Sequence, residues 1–209
     1  MAQRIELKES AISSMANEAL LEAQVQNRSE AIKGADAVLK ESQTPDAMIQ
    51  AADVYARCGE DAKARQLVEQ AAKQRPSDLF MQSVNAPMVR ALLEVNHHAG
   101  DKAAELMKPG QAFDRANAES IDVRANALLL AGKPADAAQE FQVILNLKNA
   151  SPADPAMSFA QLGLARSYAA SGDIAKSRTA YQDFFALWKD ADPDIPLIKQ
   201  VQAEYAKLQ

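Results

Sequence analysis

A chain of 209 residues can bury one sizeable core or carry a row of small repeats. Alanine makes up roughly a fifth of it, with only seven glycines. That is the balance of closely packed helices, because Ala has the best helix propensity and lets helix axes approach. The net charge of −5 argues against nucleic acid or an anionic membrane as partner, since both are bound through basic surfaces. No apolar run is long enough to span a bilayer, and the opening MAQRIELKES lacks the apolar stretch of a signal peptide. Cys58 is the only cysteine, which excludes an internal disulfide and leaves the redox compartment open.

In chain order, the first predicted element is a helical hairpin over residues 7–41, in which Gln26-Asn27 forms the turn and Ala31 and Ala35 follow. Thr44-Pro45 reads as an N-cap with Pro at the first helical position, opening a second hairpin over 45–76 that turns at Gly59. After a linker, SDLFMQSVNAP, a shorter third hairpin covers 86–108 and turns at Gly100, with one residue missing after the turn. The fourth, over 118–147, has Leu128, Gly132, Ala137 and Phe141 at the offsets that Tyr168, Gly172, Ser177 and Tyr181 repeat in the fifth, over 155–189. Asp154-Pro155 repeats the cap-and-proline start.

The physical expectation for each turn is the same. A glycine ends the first helix in the left-handed conformation, and the residue after it can cap the second. A small residue five positions on lets the second helix pack tightly, and the aromatics, Tyr168 and Tyr181 in the fifth hairpin, fill the space between the two helices. After DADPDIP a helix over 195–208 carries Ile198, Val201, Tyr205 and Leu208 on one stripe, as a capping helix needs.

The turn glycines lie 41, 32 and 40 residues apart. Helix-turn-helix units at such a period resemble tetratricopeptide repeats. The expected fold is therefore an all-α, tetratricopeptide-like helical-hairpin solenoid of about five hairpins with a C-terminal capping helix, forming one domain over 1–209.

The stretches ELKESA, MQSVNAPMVRA, AAQEFQVIL, LGLARSYAASGDIAKSRTAYQDFFALWKDADPDIP and AEYAKLQ resemble the C-terminal tetratricopeptide region of bacterial eukaryotic-like serine/threonine protein kinases. The chain departs from that pattern at Asn85, where the family tends to have an aromatic, and in a shortened stretch around KPGQAFDRANAES. The resemblance implies a sensory or docking region that accompanies a kinase, facing cytoplasm or, if its parent spans the membrane, periplasm. The kinase's own motifs are not in this sequence: there is no glycine-rich phosphate loop, V-A-I-K, H-R-D or D-F-G.

The sequence offers few groups for chemistry. His97 and His98 are adjacent, so on a helix they point about 100° apart and suit a helix end better than a shared metal. Cys58, just before the Gly59 turn, reads as a buried thiol rather than a nucleophile. AGKPADAA lacks the flanking residues of a phosphate loop, and KDADPDIP lacks the spacing of a calcium loop. No catalytic residue, cofactor or metal is expected. The groove positions carried over from tetratricopeptide arrays are Asp53 and Arg57 in the second hairpin, and Arg90, Glu94 and His97 in the third. The fourth contributes Asp122 and Asn126, and the fifth Arg166. Arg90 with Glu94, and Asp122 with Asn126, would form a polar strip reading a protein or peptide partner of mixed charge. Self-association into a homo-oligomer is the alternative.

Overall fold

The computed structural model describes residues 2–147 and 155–208. All regular structure among them is helical. The chain divides into two compact units, Met1–Asn96 and His97–Gln209.

The first unit holds α1 (Ala2–Gln24), α2 (Arg28–Glu41), α3 (Pro45–Arg57), α4 (Asp61–Gln74) and α5 (Ala86–Asn96). α1 packs on α2 and α3 on α4, and α3 also packs on α1, α2 and α5. Thr44 caps α3 as expected, its Oγ1 accepting the Ala47 N–H at 3.4 Å. The segment before α5 is not a linker. Asp78 accepts the Met81 N–H through Oδ1 at 2.9 Å, and a π-helical turn, Met81–Asn85, runs into α5 with Met81 and Val84 buried. The wider turn has a cause in Pro87, which has no N–H to donate and would clash with the carbonyl four residues back in a regular α-helix.

The second unit holds α6 (Gly100–Leu106), a 3-10 helix (Lys108–Ala116), α7 (Ala118–Leu130), α8 (Pro134–Leu145), α9 (Pro155–Ala170), α10 (Ile174–Leu187) and α11 (Pro196–Ala206). Successive helices pack from α6 to α9, α10 packs on α9, and α7 also packs on α9. Ile121, Ala125, Phe141, Ile144, Ala160 and Leu164 form the core where α7, α8 and α9 meet. The expected cap at Asp154 lies outside the described residues.

The turns correct one expectation. The left-handed residues are Gln26, Gly59, His98, Gly132 and Gly172, at intervals of 33, 39, 34 and 40 residues. Gly100 is not a turn residue. It is the first residue of α6, and a Cβ there would lie 2.5 Å from the Ala131 nitrogen and 2.7 Å from the Ala127 oxygen. Close approach to the end of α7 therefore selects glycine at 100, while His98 takes the strained dihedral at φ 57°. No residue is missing after the turn. Counted from the left-handed residue, the fifth position is Ala31, Ala64, Ala103, Ala137 or Ser177, and all five are fully buried. The ninth is Ala35, Val68, Met107, Phe141 or Tyr181, also buried. Ser177 keeps its hydroxyl satisfied by donating to the Ala165 carbonyl at 2.9 Å.

Tyr168 is half-buried rather than fully enclosed, and it packs against the α7–α8–α9 core. Its ring is covered by the Lys176 ammonium, 5.4 Å from the centroid, and Tyr55 sits under Lys63 in the same way at 4.8 Å. Tyr55 also reaches backwards, its hydroxyl donating to Asp36 on α2. Tyr181, by contrast, is buried as expected.

Candidate functional site

Positions six and two residues before each left-handed residue fall one turn apart on the same side of a first helix. In α3 these are Asp53 and Arg57. Asp53 is only 5% exposed, a position a carboxylate tolerates when paired, and Arg57 Nε donates to its Oδ1 at 3.0 Å. The pair is recessed and holds itself in place. Cys58 next to it is buried, and that burial pushes its thiol up, away from the thiolate form a nucleophile needs.

The corrected turn alters the third hairpin. With His98 as the turn residue, the positions equivalent to Asp53 and Arg57 are Leu92 and Asn96, rather than Arg90, Glu94 or His97. A two-residue offset rotates a side chain by about 200° around a helix. Arg90 accordingly points to α4, where its Nε and Nη2 each lie 2.9 Å from a Glu69 oxygen. Glu94, four residues on, shares that side of α5 and is partly buried. His97 is exposed beside the turn. Asn96 holds the second hairpin's turn, donating to the Ala56 carbonyl at 2.9 Å and to Asp61 at 2.7 Å.

In the second unit Asp122 and Asn126 are brought together on α7, the Asn126 amide donating to the Asp122 carbonyl at 2.9 Å. Arg166 on α9 makes a two-pronged pair with Glu204 on α11, 2.9 Å on each side. Glu204 also accepts from the Tyr181 hydroxyl at 3.0 Å and from Gln200 at 2.7 Å. Desolvation pushes the Glu204 carboxyl up, but the Arg166 guanidinium and these donors outweigh it and hold the group below its ordinary value. Arg178 ties down the far end of the same helix by donating to the Leu208 carbonyl.

One polar cluster was not singled out from the sequence. Arg124 is 4% exposed and holds Asp114 (2.7 and 3.1 Å) and Glu140 (2.6 and 3.0 Å), tying the 3-10 helix to α7 and α8. Burial alone would depress the guanidinium's pKa; the two carboxylates reverse that and raise it above the usual arginine value. The cluster is one cation shared by two anions, a structural strap rather than an acid–base site. Its sequence signal was an arginine between Val123 and Ala125, which also fits an exposed arginine whose stem lies along an apolar stripe.

Among the described residues no three His, Cys, Asp or Glu side chains converge as metal ligands, and no helix is long and apolar enough to cross a membrane. No protein-family model matches the chain, and no curated protein matches it. Solved structures do. Yeast Tom70 superposes with a TM-score of 0.56 at 16% identity, over 94% of this chain and 39% of Tom70. MamA (AMB-1) gives 0.51 at 17% identity, over 85% of this chain and 99% of MamA. Pseudomonas aeruginosa PilF gives 0.50 at 16% identity, over 96% and 90%. These likenesses show the fold: an all-α helical repeat of tetratricopeptide type.

Proposed function

We propose that this chain is a non-catalytic scaffold that captures a protein or peptide on the sides of its first helices, as the interaction region associated with a bacterial serine/threonine kinase. The observation that carries the reading is the adjacency of first helices within each unit, α1 on α3 on α5 and α7 on α9. Side chains at equivalent positions of neighbouring hairpins then form one surface, which a segment can follow over several repeats. In the second unit Asp122 and Asn126 on α7 supply the polar contacts of this surface. In the first, Leu92 on α5, which is 9% exposed, holds the position equivalent to that of Asp53 in the recessed pair on α3. Arg90 is engaged with Glu69 and serves the α4–α5 seam in this reading. The kinase context rests on the resemblance of the closing stretch, FFALWKDADPDIP above all.

The test is capture from a lysate of the source organism, with the bound set identified by mass spectrometry. Asp122→Arg with Asn126→Ala should lose the partners that wild type retains, and Arg90→Ala should keep them. The kinase context predicts a serine/threonine kinase chain, or its substrate, in the captured set. A captured set unchanged by the α7 substitutions would overturn the reading. So would micromolar ATP binding to the isolated chain.

A further inference from the structure

Nine residues, Lys108–Ala116, run in the 3-10 conformation between α6 and α7. Runs beyond three or four residues are uncommon, because the hydrogen bonds of this helix are poorly aligned. Both ends of the segment are fixed. Met107 before it is 1% exposed, and Asn117 after it caps α7 by accepting the Ser120 N–H at 3.1 Å. Between them little side chain is buried. Lys108, Pro109, Gln111 and Ala112 are exposed, Gly110 is buried but brings no side chain, and Phe113 and Asp114 are partly buried. The Lys108–Glu105 pair joins exposed groups three residues apart and contributes little. The strong tie to α7 is Asp114, whose two oxygens accept from Arg124 Nη1 and Nη2 at 3.1 and 2.7 Å.

Two features lower the cost of releasing that tie. Arg124 is held a second time by Glu140 on α8, at 3.0 and 2.6 Å, so it keeps an anionic partner when Asp114 leaves. The second feature is Ser120. Among the described residues its hydroxyl is the one buried side-chain polar atom with no hydrogen-bond partner. Ser120 lies one turn before Arg124 on the same side of α7. That side faces α6, since a Cβ on Gly100 at the start of α6 would meet the Ala127 oxygen. Running the same distance along the two antiparallel helices, from Gly100 to Met107 and from Ala127 back to Ser120, places Ser120 where the 3-10 segment begins. The closed segment thus covers a hydroxyl that water satisfies once the segment lifts.

We propose that Lys108–Ala116 is a latch that opens as one unit between Met107 and Asn117 while α7 and α8 stay packed, with Asp114 on Arg124 as its catch. Closed, it covers the Ser120–Arg124 side of α7. Open, it gives that side and one edge of the Arg124 guanidinium to solvent. A segment with few buried apolar groups opens at a smaller free-energy cost than the core does. Asp122 lies two residues from both Ser120 and Arg124, on the far side of the helix, so the latch does not rest on the partner surface proposed above.

Native-state hydrogen exchange of the full chain over a urea series tests the latch, each amide taken relative to its intrinsic rate. Amides at 110–114 should share one opening with a weak urea dependence. They should be about 100-fold less protected than amides at 141–144 of α8, whose exchange follows urea steeply. Asp114→Asn keeps the shape of the catch but removes its charge, and should cut latch protection about tenfold. Ser120→Ala removes the unsatisfied hydroxyl from the closed state and should raise latch protection about fivefold. Ile144→Val, in the α7–α8–α9 core, should lower α8 protection about fivefold and leave the latch unchanged, because closed and open states lose equally. Latch and α8 amides with one protection and one urea slope would overturn the proposal. So would latch amides exchanging at their intrinsic rate in wild type, or latch protection unmoved by Asp114→Asn or not raised by Ser120→Ala.

Discussion

Gly100→Ala is the substitution on which the corrected repeat register is most exposed. An added Cβ would meet three backbone atoms of the α7 end, the Ala131 nitrogen at 2.5 Å, the Ala127 oxygen at 2.7 Å and the Leu130 carbonyl carbon at 2.9 Å. None of these is a side chain that can swing away, so α6 or α7 must shift. Overpacking of this kind costs about 1–3 kcal/mol, more than the few tenths a first-turn alanine gains over glycine. Two companions separate crowding from dihedral strain. Gly132→Ala meets nothing within 4 Å but sits at φ 72°, and should lose about 1–2 kcal/mol from backbone strain alone. His98→Gly relieves φ 57° while freeing the unfolded chain, and should be neutral or stabilising by up to about 1 kcal/mol. Urea unfolding followed by Trp188 emission reads the unit in which all three lie. A Gly100→Ala protein at least as stable as wild type, or a His98→Gly loss above about 1 kcal/mol, would refute the register.

Further substitutions grade the packing and the ion pairs. Arg124→Ala strands two partly buried carboxylates and should cost about 3–5 kcal/mol in the same urea assay. Arg90→Ala, breaking a pair whose members are 33% and 58% exposed, should stay within about 1 kcal/mol. Tyr181→Ala, at a buried position, should cost about 3–5 kcal/mol, and half-buried Tyr168→Ala measurably less. Glu204 gives the pH dependence. Its carboxyl is held below the unfolded value, so its stabilisation is full above that value and is lost as pH falls through the folded one. Protection of the α11 amides, taken relative to their intrinsic exchange rate at each pH, should therefore fall on acidification below about pH 4.5, and the gap between wild type and Glu204→Gln should close there.

Much of this architecture was legible because backbone dihedrals leave a mark on residue type. Gly59, Gly132 and Gly172 sit where φ is positive, and small residues five positions later sit where two helices nearly touch. The third turn was misread because the same residue type answered a different demand. Gly100 is small for the sake of a helix distant in sequence, and the left-handed position went to His98, whose side chain carries no glycine-like signal. That two-residue slip carried over to the candidate site, because it turned Arg90 and Glu94 around α5 relative to Asp53 and Arg57. Ion-pair partners were not legible either. Glu69 and Glu204 lie 21 and 38 residues from the arginines they hold, and only packing brings them together. Tyr205 was expected on the apolar stripe of the capping helix, whereas in the structure it lines a pocket with Phe185 and Trp188.

The central claim is capture on the first helices, and hydrogen–deuterium exchange on the full chain, alone and loaded with the partner recovered from lysate, tests it most directly. The account predicts that the partner slows exchange at the borders of α3, α7 and α9 where first helices adjoin, leaving α2, α4 and α8 at their unliganded rates. Protection concentrated on the second helices, or none outside α10 and α11, would contradict it.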